Sequence, residues 1–119
     1  MSTATLPMTV TDRCVLIAVD NDNTGQNGAP VSETRAITGS SFTFSYASVA
    51  AGSYFVWAFV DANSSGSSPA TGCAFTDGPD VGDLLGYNGG AAGGPPGGAN
   101  VTVPHADGES YDIDLAVLD

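Results

Sequence analysis

The sequence predicts an all-β protein, an antiparallel β-sandwich of about seven short strands. Three observations point there. Apolar runs rich in aromatic and β-branched residues recur along the chain, turn signals separate them roughly every 8–12 residues, and no stretch repeats its apolar positions with helical spacing. The strongest run is residues 54–60 (YFVWAFV). It reads as a strand buried on both faces, with Tyr54, Val56, Ala58 and Val60 on one side and Phe55, Trp57 and Phe59 on the other.

Taken in order, residues 4–11 suggest a ragged edge strand containing Pro7, and Asp12 and Arg13 a turn. Residues 14–20 (CVLIAVD) form a second strong strand. Residues 32–38 and 41–46 look like a hairpin around Gly39 and Ser40, the second arm alternating Phe42, Phe44 and Tyr46 with Ser and Thr. Residues 62–83 form a long acidic loop, after which Leu84, Leu85 and Tyr87 return to the core. Residues 88–99 are a Gly/Pro-rich surface loop. Residues 100–103 and 110–118 complete the sandwich, with Tyr111, Ile113, Leu115 and Val117 pointing inward. At 119 residues the whole chain, 1–119, reads as one domain able to bury roughly two thirds of its unfolded surface.

The charge balance excludes several functions. Thirteen carboxylates face two cations, Arg13 and Arg35, for a net charge of -11. Such a chain repels phosphate backbones and anionic lipid, so no nucleic-acid partner and no membrane insertion is expected. No apolar run approaches the ~20 residues of a spanning helix. Eleven carboxylates are Asp, a turn residue and a hard-cation ligand. Salt adaptation is the alternative source of an acidic, lysine-free composition. Without lysine there is no Schiff base, lysine general base or Lys–Asn isopeptide, and His105 has no nucleophile motif beside it.

Cys14 and Cys73 are far apart and form no CxxC pair, and with one histidine they make a poor zinc set. They read as a disulfide of an extracellular or cell-surface protein, or else as two small core residues. Residues 1–11 lack a signal peptide's basic start and apolar core, so a secreted chain is expected here in mature or excised form.

The sharpest chemical signal lies where strands end. Asp61, Asn63, Ser65 and Gly66 follow residues 54–60 at the spacing of oxygen ligands 1, 3 and 5 and the glycine at 6 of a calcium loop. Forty-one residues earlier Asp20, Asp22, Thr24 and Gly25 repeat the pattern after residues 14–19. Position 12 is Val31 in one and Gly72 in the other, so neither is an EF-hand, and both loops sit on strands. Asp77, Asp80 and Asp83 add carboxylates to the second loop. Calcium accepts six to eight oxygens in flexible geometry, so these groups predict one or two calcium ions. If both strands end on the same side, the loops would share one carboxylate cluster.

Residues 39–87 also carry a resemblance. Phe42 and Phe44, then Gly52, Tyr54 and Val56 before a strand ending in Asp61, resemble the prealbumin-like, Ig-like sandwich modules of bacterial secreted and surface proteins (CnaB-type and carboxypeptidase-regulatory-like). Asp61 and Asn63, with Asp80, Gly82, Asp83, Gly86 and Tyr87, resemble the calcium loop of a subset, D-x-N-x-x-G followed by D-x-G-D-x-x-G-Y. The resemblance spans roughly residues 13–118 and implies a non-catalytic structural or adhesive module. An insertion containing Cys73 separates the two halves of the loop, and the missing lysine excludes an isopeptide.

An enzyme is not expected, because the carboxylates have ligand spacing and none sits in an apolar run that would make it a general acid. Two alternatives use other surfaces. Tyr87, flanked by glycines and read as exposed, suggests a carbohydrate-binding aromatic platform, whereas Trp57 reads as core. Edge strands or the N-terminal segment suggest self-association into an extracellular filament or layer.

Overall fold

The computed structural model describes residues 2–21, 31–46, 49–64, 66–75, 81–90, 97–98, 101–103 and 112–118. Two long strands begin it, β1 (Ser2–Asp20) and β2 (Val31–Phe44). β3 (Gly52–Val60), β4 (Leu84–Tyr87), β5 (Val101–Val103), β6 (Ile113–Asp114) and β7 (Ala116–Val117) follow, with one 3-10 turn at Pro69–Thr71. The strands run in the order β2-β1-β3-β4-β7, β5 pairing with β3 and β6 with β1. All ladders are antiparallel except β1 with β6.

The sandwich arises by folding one sheet over itself. The far half of β1 pairs with the first half of β2 (Arg13↔Ile37 through Val19↔Val31), and its near half with the second (Ser2↔Phe44 through Thr5↔Ser41). Between them the register shifts on either side of Val10, which faces Gly39. Asp12 takes φ 51 and Gly39 φ 120, left-handed conformations that bend both strands at one place. The bend lets Ala4, Leu6, Phe42 and Phe44 of one layer pack on Val15, Ile17, Val56, Ala58 and Val60 of the other.

Two sequence expectations are corrected here. Residues 32–38 and 41–46 are not the arms of a hairpin but one kinked strand, since both halves pair with β1 rather than with each other. Likewise Asp12 and Arg13 do not turn the chain; they form a bulge within β1. Strong bulges and tight turns recruit the same residues, and only the distant partner separates them.

The closing strand also differs from a single 110–118 element. β6 pairs with β1 in one layer and β7 with β4 in the other, so the chain changes layer around Leu115. Ile113 and Leu115 are buried as expected, but Val117 is 40% exposed, and Tyr111 lies outside the described residues. The crossing passes close over Gly86, where a Cβ would stand 2.6 Å from the Asp114 carbonyl oxygen. Glycine is required there by that close approach.

β3 reads as the sequence predicts. Tyr54, Val56, Ala58 and Val60 enter the inter-layer core. Phe55, Trp57 and Phe59 form a second cluster with Ala18 and Tyr87 on the opposite face, with Phe75 and Leu85 packed against it.

Candidate functional site

The second face of the sheet carries the chemistry. Cys14 and Cys73 form a disulfide, with Cα atoms 5.4 Å apart and a sequence separation of 59. Both are buried. The bridge fixes the middle of the 62–83 loop against β1, and Phe75 then packs on Phe59 with ring centroids 5.1 Å apart. The 3-10 turn beside Cys73 is capped by Ser68, whose Oγ accepts from the Ala70 N–H at 3.2 Å.

At one end of this face two aspartates meet. The β3–β4 ladder runs from Trp57↔Tyr87 to Val60↔Leu84, so the next opposed pair is Asp61 and Asp83. Beyond them the chain turns, the Ser64 N–H donating to the Asp61 carbonyl at 3.3 Å, and Asn63 Nδ2 reaches across to the Val81 carbonyl at 3.5 Å. Opposed strand residues have Cβ atoms about 5 Å apart. Outer neighbours also hold both backbones: the Asp61 N–H donates to the Cys14 carbonyl at 3.0 Å, and the Leu118 N–H to the Asp83 carbonyl at 2.8 Å. Asp61 and Asp83 are each 1% exposed. The insertion between them therefore leaves the two halves of the acidic loop adjacent.

Asp61 also organises the loop that follows it. Its Oδ2 accepts from the Gly66 N–H at 3.1 Å and from Ser67 Oγ at 2.5 Å. Ser67 was not among the expected site residues, although its place seven residues into the loop was a readable signal. Arg13 Nε donates to the Ala62 carbonyl at 3.0 Å, which ties the loop's first peptide to the β1 bulge.

The other acidic residue is remote. Antiparallel pairing sets Asp20 opposite Phe55, whereas Asp61 bonds to Cys14, six residues back along β1. At the rise of a strand this is about 20 Å. Asp20 and Asp61 thus stand at opposite ends of the sheet, so these two residues do not share one cluster. Asp20 is 0% exposed and accepts a hydrogen bond from Trp57 Nε1 at 3.2 Å. Trp57 is core, as expected.

Tyr87 is corrected from an exposed platform to a buried residue. β4 draws it into the second cluster, 9% exposed and with its ring centroid 6.3 Å from that of Trp57. The large hydrophobic side chains exposed among the described residues are Met8, Val81 and Val117, none of them aromatic.

The donors at the Asp61–Asp83 end are all oxygen: two carboxylates, the Asn63 amide and the Val81 and Ala62 carbonyls. That is a hard-cation set rather than a zinc or copper set. Among the described residues no three His, Cys, Asp or Glu side chains form a group that would hold a metal ion. Ser65, Asp77 and Asp80 of the same loop, and Asp22 and Thr24 of the other, lie outside the described residues.

No family model matches the chain, and no match is found among curated proteins or solved structures. Among the described residues no helix is long and apolar enough to cross a membrane. The disulfide is compatible with an oxidising, extracellular setting.

Proposed function

We propose that the chain is a non-catalytic structural or adhesive module of a secreted or surface protein, and that one calcium ion orders the Asp61–Asp83 end of its sandwich. One observation carries the reading: two carboxylates, each 1% exposed, occupy opposed positions at the end of the β3–β4 ladder. Buried carboxylates this close repel, and a divalent cation bridging them turns the repulsion into attraction. Asp61 and Asp83 would supply carboxylate oxygens and Asn63 an amide oxygen, with loop carbonyls and water completing a calcium shell. The ion would do no chemistry; it would hold both ends of the 62–83 insertion while the Cys14–Cys73 bridge holds its middle. The prealbumin-like resemblance, with its D-x-N and D-x-G-D halves, points to the same residues.

Calorimetric titration with calcium tests the proposal. Binding of one calcium per chain, lost in Asp83→Asn, is the expected result. Absence of binding at millimolar calcium, or binding that Asp83→Asn leaves intact, contradicts it.

A further inference from the structure

β2 ends the sheet, and among the described residues it pairs on one side only, with β1. It spans 14 residues, against two in β7 at the opposite end of the sheet order. Proteins blunt such edges with charged or inward-pointing side chains, prolines, bulges or short strands, and the charges on residues 31–37 are one of each sign, Glu33 and Arg35. Past Gly39 the edge is partly occupied, because the Arg35 guanidinium donates to the Thr43 carbonyl and lies 5.6 Å over the Phe42 ring. Residues 31–37, before the kink, contain no lysine, proline or glycine.

Those seven residues, VSETRAI, complement themselves when reversed. About Thr34 the β-branched Val31 mirrors Ile37, the small Ser32 mirrors Ala36, and the anion Glu33 mirrors the cation Arg35. The faces agree: Glu33 and Arg35 are half-buried and Ile37 buried on the core side, while Ser32, Thr34 and Ala36 are exposed on the other. Glu33 and Arg35 stand two residues apart on that same face. Elsewhere a second copy meets repulsion. The chain carries a net charge of -11, yet residues 31–60 contain one carboxylate, Glu33, and one cation, Arg35.

We propose that residues 31–37 of β2 pair antiparallel with the same residues of a second copy of this chain, about a two-fold axis at Thr34. Val31 then faces Ile37, Glu33 faces Arg35, and Thr34 faces itself, each pairing made twice except the last. Cross-strand pairs of these types favour one register, and the symmetric contact closes as a dimer rather than growing into a filament. The ladder is short, about 23 Å, so the dimer is expected to be concentration-dependent. The inference stands apart from the calcium reading.

Sedimentation equilibrium of the whole chain up to millimolar concentration, in EDTA and again in calcium, tests it. A monomer–dimer equilibrium is expected in both. Thr34→Lys puts two ammonium groups face to face and should weaken dimerisation about tenfold or more. Glu33→Arg and Arg35→Glu should each weaken it similarly, and their equimolar mixture should restore it, because every arginine then faces a glutamate. Should Arg35→Glu fail to fold, the exposed Thr34→Lys, checked by its melting curve, decides alone. A monomer at all concentrations, a wild-type dimer in Thr34→Lys, or a mixture of folded variants that stays dissociated overturns the proposal.

Discussion

Asp20 and Asp61 end adjacent strands at opposite ends of one sheet face, about 20 Å apart along β1. Similar local sequence precedes both, yet their partners differ. Asp20 accepts from the Trp57 indole, while Asp61 faces Asp83 and bonds to the loop.

The separation makes the two sites independent. Asp20→Ala leaves the buried indole donor unpaired and is expected to destabilise the fold by about 1–3 kcal/mol. Tryptophan emission should change with it, since Trp57 is the chain's one tryptophan. Calcium stoichiometry should stay at one, because sites this far apart without shared partners act additively. Loss of calcium binding in Asp20→Ala would contradict the assignment of the ion to the Asp61–Asp83 end.

The disulfide is expected to supply much of the loop's order. A bridge closing 59 residues restricts the unfolded chain by roughly 4 kcal/mol on the chain-entropy model. Denaturant titration of the Cys14→Ala, Cys73→Ala double variant should show a loss of that order. Release of Phe75 from Phe59 should appear as dye binding to the second face before global unfolding. Unchanged stability would mean that the loop's packing, not the bridge, fixes it.

Tyr46 sets an alkaline limit. Burial raises its phenol above the usual tyrosine range; Glu33 adds to the rise and Arg35 opposes it. Above pH ~10 the unfolded chain releases this proton while the folded chain keeps it. The stabilisation is therefore complete below pH ~10 and is lost as pH climbs toward the raised value. Tyr46→Phe loses the bond to the Ile17 carbonyl, 2.8 Å long, and should be about 0.5–1.5 kcal/mol less stable at pH 8. Melts at pH 8 and pH 11 should show that deficit shrinking. A constant deficit would exclude the titration.

How much of this was legible in the sequence depends on whether the information was local. The two faces of β3 were readable because alternation within seven residues is a property of the strand itself. Gly39 and Ser40 misled, because a turn and a strand kink demand the same residues, and the bulge that separates them lies near Val10 and Asp12 in β1. Tyr87 looked exposed among glycines, but β4 forms only against β3, and that pairing carries it inward. For Asp61 and Asp83 the residue types and spacing were visible. Their opposition was not, since it follows from a register set by Val60 and Leu84, 24 residues apart in sequence.

The most direct test of the calcium account compares thermal melts of wild type and Asp83→Asn in excess EDTA and in millimolar calcium, with magnesium as control. In EDTA, Asp83→Asn should melt at or above the wild type, because an isosteric amide removes the repulsion with Asp61. In calcium the order should invert: an ion at 100 times its dissociation constant adds about 2.7 kcal/mol, several degrees in a domain this size, to the wild type alone. Equal wild-type melting temperatures in EDTA and calcium, or an equal calcium shift in Asp83→Asn, would contradict the account and leave Asp61 as the cap of its own loop.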